Sequence, residues 1–293
     1  WAARAAAAAG ARVWILDRPN PLGGTEVEGN LPEAGYGSFV GAFRIPVRHG
    51  LTLGELARLE ARRDADRGAP WGERLTVWRM AGWRREAGWD GTGRPWIAPS
   101  PNMPTPRTAD LYPGACLLEG TALSEGRGTT RPFHLVGAPG VDPPELARAL
   151  ERRLGAGAGV GAIPTYFRPQ FQKHAGTLCG GVELVVTDRT ALRSVRAGVH
   201  LLAAFAETAP QVFAWRPDPY EFVDDRPAID LLAGTDALRR GLEGLLAADA
   251  GGEDTLEEWI ASWAADEARF REERTPSLLY PEPADAAGMG EVA

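Results

Sequence analysis

The amino-acid sequence predicts an α/β protein with a parallel-sheet domain ahead of a second domain, and three observations lead there. An Ala-rich helix over residues 2–10 ends at Gly10, and an apolar strand, RVWILD, follows over residues 12–17. A loop stiffened by two prolines and two glycines, DRPNPLGG, comes next over residues 17–24. Helix, glycine stop, apolar strand and irregular loop make one repeat of an open α/β sheet, whose ligands sit at the carboxyl ends of the strands. The third observation is a change of texture near Gly140, which sets the expected domains at residues 1–142 and 143–293.

Each further element has a local reason. Thr52 opens a helix over residues 52–63, because Glu55 three positions on completes a capping box. Residues 73–78 and 94–98 read as strands, and residues 99–108 (PSPNMPTPRT) as a proline-stiffened loop. The Gly, Ser and Thr content of residues 112–133 predicts a loop between short strands. Downstream, residues 144–154 form a helix leading through a Gly/Ala-rich stretch to a new start at Tyr166, and residues 182–187 a strand. Helices follow over 236–247 and 255–274, the latter with Leu256, Trp259, Ile260, Trp263 and Phe270 on one stripe. The residues after Tyr280 read as a frayed tail.

Composition narrows the function. With 44% hydrophobic and 24% charged residues the chain is globular, and a net charge of −7 leaves no concentrated basic face for nucleic acid. No apolar run reaches the ~20 residues of a membrane span. The Ala-rich start, broken by Arg4 and running into a strand, is not a secretory signal; the chain opens on Trp1 inside a helix, so truncation is the simplest reading. Cys116 and Cys179 allow one disulfide or, more commonly, two buried thiols. His134, His174 and His200 show no metal-ligand spacing, so no zinc is expected.

Residues 119–130 carry the densest chemistry. Glycosidases work with paired carboxyl groups, and Glu119 and Glu125 are candidates for such a pair. Arg127 has the planar fork that grips a carboxylate; the alternative is that it pairs with Glu119 to hold the loop. Arg48 and His49 stand just before the capping-box helix. Asn20, Asn30 and Asn102 lie in three stiff loops, where amides read sugar hydroxyls or cap turns. Five of the ten Trp fall within residues 71–96, and one of Trp83 or Trp96 is expected near a cleft. No G-x-S-x-G, Walker or G-x-G-x-x-G motif appears, and Ser124 lacks a partner base.

Taken in order, DRPNPLGG, VEGN (27–30), SFVG (38–41), PVRHGLTLGELA (46–57), PSPNMPT, YPG, EGTALSEGRGTT and FRPQFQKHAG (167–176) resemble the bacterial exo-β-N-acetylmuramidases, long catalogued as a domain of unknown function. The resemblance implies a partial Rossmann-like domain followed by a smaller α+β C-terminal domain, with an active cleft between them. It implies release of terminal β-linked N-acetylmuramic acid from the non-reducing end of peptidoglycan fragments, outside the cytoplasm or in the periplasm, without metal or nucleotide. On this reading Glu125, Glu119 and His49 are catalytic, and Asp17, Arg18, Asn20, Arg48, Asn102 and Arg127 bind the saccharide. Two departures bear on it. Family members carry Asn where this chain has Ala122, and they carry a leading segment with an acidic Pro-Glu-His-Gly-type loop. The expectation is a fragment inactive by itself; a non-catalytic wall-binding module and a peptidoglycan amidase or esterase are the alternatives.

Overall fold

A computed structural model describes residues 1–247 and 250–282. The expected tail after Tyr280 falls, from residue 283 on, outside the described residues. The chain divides into two discontinuous units, one of residues 1–27, 49–96 and 268–293, the other of residues 28–48 and 97–267.

Unit 1 contains α1 (Ala2–Ala8), β1 (Val13–Leu16), α2 (Leu53–Asp66) and β2 (Leu75–Trp78). The capping box at Thr52 forms as expected: its side chain accepts from Glu55 N–H while the Glu55 carboxylate accepts from Thr52 N–H. β1 and β2 pair in parallel, Val13 opposite Leu75 and Leu16 opposite Trp78. One face of this ribbon, Val13 and Leu75, packs with Ala7, Ala61 and Trp71 under α1 and α2. The other face is open among the described residues, with Trp14 61% and Trp78 55% exposed and meeting edge-on at 5.9 Å. The strand expected to be buried is therefore buried on one side only, because both helices lie on that side. Residues 94–98 form no strand; a 3-10 turn, Trp89–Thr92, precedes them and the chain runs on irregularly.

Unit 2 contains α3 (Pro106–Ala115), β3 (Leu135–Ala138), α4 (Pro143–Leu154), β4 (Val160–Phe167), β5 (Cys179–Val186), α5 (Ser194–Thr208), α6 (Ala228–Ala233), α7 (Ala237–Leu246) and most of α8 (Ala250–Arg274). The strands form an antiparallel sheet in the order β3-β5-β4. α5 runs through the centre of the core: Val199, Leu201, Leu202, Ala203, Ala204 and Phe205 are each at most 1% exposed. At about 1.5–3 kcal/mol for each large side chain, this helix is the main apolar reservoir of the unit. α3 crosses it at Gly114 and Gly198, where a Cβ on either would strike the other helix's backbone. The expected stripe on α8 is present, with Leu256, Ile260, Trp263 and Phe270 buried.

Two expectations are corrected here. α3 occupies the end of the predicted proline loop and the start of the predicted loop 112–133. Thr105 caps it by accepting from Thr108 N–H, and Pro106 takes the first helical position, where a missing N–H costs nothing. β4 begins at Val160, inside the stretch read as a Gly/Ala connection. Both cysteines are free thiols, Cys179 buried and Cys116 half-buried.

Candidate active site

The loop that leaves the carboxyl end of β1 is tied at once to the start of α2. Asp17 Oδ1 accepts from Gly54 N–H at 2.8 Å and from Arg18 N–H at 3.0 Å; Oδ2 accepts from the hydroxyls of Thr52 at 2.7 Å and Tyr280 at 2.8 Å. A carboxylate at a helix N-terminus is stabilised by the orphan N–H groups and the helix dipole. Gly54 is required there, since a Cβ would collide with Val77 and Asp17.

Beside Asp17 lies a cleft of about 350 Å³, at the lower end of the size of ligand pockets. Arg18 comes from the loop after β1; Trp83, Arg84, Trp89 and Arg94 come from the segment after β2. The cleft thus stands where a parallel sheet offers its ligand edge. Arg84 pairs with Glu86 at 2.9 Å. The Arg18 and Arg94 guanidinium groups have no carboxylate partner among the described residues. Trp96 stacks edge-on against Trp89 at 5.0 Å, and of the two expected indoles it is Trp83 that lines the cleft.

The remaining unit 1 candidates lie on two loops clamped by buried guanidinium groups. Asn20 accepts from Leu22 N–H and donates to Leu51 O, both at 3.0 Å. His49 Nδ1 accepts from Leu51 N–H at 3.0 Å, which leaves its proton on Nε2. Desolvation, then the Arg274 charge, lowers the His49 pKa to about 4, so it is a neutral donor at neutral pH. Arg274 donates to Gly24 O, His49 O and Gly50 O; Arg85 donates to Gly24 O and Gly50 O. These bonds fix loops that contain three glycines and two prolines, Gly23, Gly24, Gly50, Pro19 and Pro21.

In unit 2, Glu119, Glu125 and Arg127 do come together. Arg127 spans both carboxylates, with Nη2 at 2.9 Å from Glu119 Oε1 and Nε at 3.0 Å from Glu125 Oε1. Lys173 Nζ sits 2.9 Å from Glu125 Oε2 and donates to Leu118 O and Leu123 O, while Tyr220 OH donates to Glu119 Oε2 at 3.0 Å. Burial lowers the Lys173 pKa against the pull of Glu125, and the carboxylates raise that of Arg127 against its own burial. Every oxygen of both carboxylates therefore already has a donor. Such a cluster fixes negative charge in place; it offers no free carboxyl O–H to a leaving group. Lys173 and Tyr220 were missed by sequence reasoning. Lys173 is the only lysine in a chain with 32 basic residues, and that exception was the available signal. Three acceptors converging on one point suit an ammonium and not a planar guanidinium.

Arg48 and Asn102 stand apart from this cluster. Arg48 is buried, donating to Leu192 O at 2.9 Å with Glu28 3.7 Å away. The backbone N–H of Asn102 is bound by Ser100 Oγ, and its half-exposed side chain engages no described residue. Asn30 is buried and donates to Ala233 O. Among the described residues no group of three or more His, Cys, Asp or Glu is placed to hold a metal, and no helix is long and apolar enough to cross a membrane.

Comparison with known proteins places this geometry in a family. The family model described as exo-β-N-acetylmuramidase NamZ, N-terminal, matches residues 2–107, and its C-terminal counterpart matches residues 110–280. The peptidoglycan β-N-acetylmuramidase NamZ of Bacillus subtilis is 38% identical over 283 residues; the match takes in 96% of this chain and 62% of that protein. The chain thus spans less than two thirds of the relative's length. Two crystal structures of DUF1343 family proteins from Bacteroides fragilis share the fold. One has a TM-score of 0.80 at 28% identity, covering 96% of this chain and 69% of the other; the second has 0.66 at 29%, covering 95% and 69%. The chain belongs to the NamZ exo-β-N-acetylmuramidase family.

Proposed function

We propose that this chain is the larger part of a glycosidase that releases β-linked N-acetylmuramic acid from the non-reducing end of peptidoglycan fragments. The observation that carries the proposal is the 38% identity to the Bacillus subtilis peptidoglycan β-N-acetylmuramidase, sustained over 283 residues. The chemistry of unit 1 supports it. N-acetylmuramic acid carries a lactyl carboxylate, and Arg18 and Arg94 on the cleft are guanidinium groups without a carboxylate of their own. Trp89 offers an indole face to the C–H face of a pyranose, and Asn20, Asp17 and His49 hold the loops around the sheet's carboxyl edge.

In this reading Glu125 and Glu119 serve as fixed carboxylates, opposing the positive charge of an oxocarbenium-like transition state while another carboxyl group supplies the proton. Arg127 holds both in register, His49 is a neutral Nε2–H donor and Asn102 is an outer saccharide contact, while Arg48, expected to bind saccharide, is buried on Leu192 O and Glu28 and is left out of the contact set. The reaction then takes place outside the cytoplasmic membrane, where peptidoglycan is found. The test is incubation of the whole gene product with a β-linked N-acetylmuramyl-N-acetylglucosamine disaccharide. Free N-acetylmuramic acid by mass spectrometry is the expected result; binding without release would leave a wall-binding module instead.

A further inference from the structure

Two tight turns of unit 2 carry bulky apolar residues at their tips, where Gly, Asn or Asp is usual. In the segment SFVG, Ser38 and Gly41 exchange backbone hydrogen bonds at 3.4 and 3.3 Å, and Ser38 Oγ also accepts from Gly41 N–H, which leaves Phe39 and Val40 outermost. Tyr220 and Val223 exchange theirs at 2.9 and 3.0 Å, with Glu221 and Phe222 at the tip. Glu221 and Phe222 are both left-handed, at φ 48 and 68, a conformation that a Cβ penalises. Phe222 is 94% exposed and Phe39 61%. Their rings meet edge-on with centroids 6.2 Å apart, and Phe39 is the one aromatic neighbour of Phe222 among the described residues. Neither burial nor turn chemistry accounts for a phenylalanine at that tip, and strain kept without a gain in packing points to a function.

The strained turn stands beside the carboxylate cluster. Tyr220 OH donates to Glu119 Oε2 at 3.0 Å, and the two residues from Tyr220 to Phe222 span at most about 7 Å. The Tyr112 hydroxyl, pushed above its usual pKa chiefly by burial and then by Cys116 and Glu119, is raised by Glu221 as well, so the tip and Glu119 share that neighbour. We infer that Phe222 and Phe39 form the platform for the leaving sugar, the N-acetylglucosamine ring next to the bond that is cut.

The size and charge of the patch favour that occupant. Two rings of about 150–250 Å² each fall well short of the ~800 Å² that a stable protein partner covers, and they match a single pyranose. A pyranose lays its C–H face on an aromatic ring and keeps its hydroxyls in water. Asp224 and Asp225 follow the turn, exposed and with no cationic partner among the described residues, while Arg226 is engaged by Gly35 O and the Tyr36 ring. Such surroundings suit the neutral N-acetylglucosamine and repel both an anionic headgroup and the carboxylate of N-acetylmuramic acid. The assignment rests on the glycosidase reading.

Kinetics of the whole gene product on two substrates test it: the β-linked N-acetylmuramyl-N-acetylglucosamine disaccharide, and trifluoroethyl β-N-acetylmuramide, whose leaving group has no ring. Phe222→Ala should raise KM for the disaccharide about tenfold relative to KM for the trifluoroethyl substrate. Phe39→Ala should shift the ratio in the same direction, and Phe222→Tyr, which keeps the ring, should restore it. An unchanged ratio in Phe222→Ala overturns the platform and leaves the glycosidase reading standing. Loss of a dimer in sedimentation, with that ratio unchanged, would overturn it in favour of a contact between copies. Cleavage of neither substrate by the unaltered protein would end the glycosidase reading and the platform with it.

Discussion

Glu55 and Arg85 form an ion pair in which both side chains are wholly buried in unit 1. Glu55 is the third residue of the α2 capping box, and Arg85 at the same time satisfies three carbonyls, Gly24, Gly50 and Tyr280. One pair thus joins the helix start to both loops at the sheet's carboxyl edge. Removing one partner strands a buried charge, so Glu55→Gln or Arg85→Met should cost about 3–5 kcal/mol in urea denaturation. A loss below about 1 kcal/mol would show that the pair is solvated.

Tyr280 closes the same edge from the far end of the chain, donating to Asp17 and accepting from Met80 N–H at 3.0 Å. Tyr280→Phe leaves the Met80 N–H without its acceptor and takes one of two hydroxyl donors from Asp17 Oδ2, and should destabilise by about 1–3 kcal/mol. Thermal denaturation of the two proteins side by side checks this.

The helix starting at Thr52 and the stripe on α8 were legible because their signals are local: a capping pair three residues apart and an apolar period of one helical turn. α3 was hidden by its own prolines, which stiffen a loop and open a helix equally well. β4 was obscured by the Gly/Ala-rich stretch it begins in, whereas β5 was legible from Val182 on and only its glycine-rich start was not; the glycines of that start are there for packing, since a Cβ on Gly181 would strike Val136 O and one on Gly180 would strike Val141 O. Low strand propensity was the requirement of a crowded sheet. In the candidate site the pairing of Glu119 with Arg127 was legible from eight residues of sequence, whereas Lys173 reaches Glu125 across 48.

Lys173 should tolerate no replacement that lacks an ammonium. Lys173→Met takes the donor from a buried Glu125 oxygen and from Leu123 O, while Leu118 O keeps Thr121, a loss of about 2–4 kcal/mol by urea denaturation, and Lys173→Arg should recover only part of it. A fully stable Lys173→Arg protein would contradict the point-charge role.

His49 makes unit 1 sensitive to acid. Its pKa is lowered from 6.5 to about 4 in the folded chain, so the unfolded chain takes up the proton first as pH falls. Stability from this group is complete above pH 6.5 and is lost as pH falls from there towards 4, by up to about 3 kcal/mol. His49→Asn, which keeps an acceptor for Leu51 N–H, should flatten the stability profile over that range; an unchanged profile would place the titration elsewhere.

The hairpin at Tyr220–Val223 carries Glu221 and Phe222 at φ 48 and 68, both left-handed, in a turn that suits Asn-Gly. Phe222 is 94% exposed, so the turn gives up no core packing when it is replaced. Substituting Asn-Gly for Glu221-Phe222 should stabilise by about 1 kcal/mol in thermal melts. A loss of stability would mean that the Phe222 ring, 6.2 Å from Phe39, contributes more than the strain costs.

The most direct measurement uses two isomeric β-linked disaccharides, one with N-acetylmuramic acid and the other with N-acetylglucosamine at the non-reducing end. The whole gene product should cleave the first and leave the second intact, and Glu125→Gln in a folded protein should slow the first cleavage by at least about 100-fold. Cleavage of both isomers at similar rates, or of neither, would contradict the account.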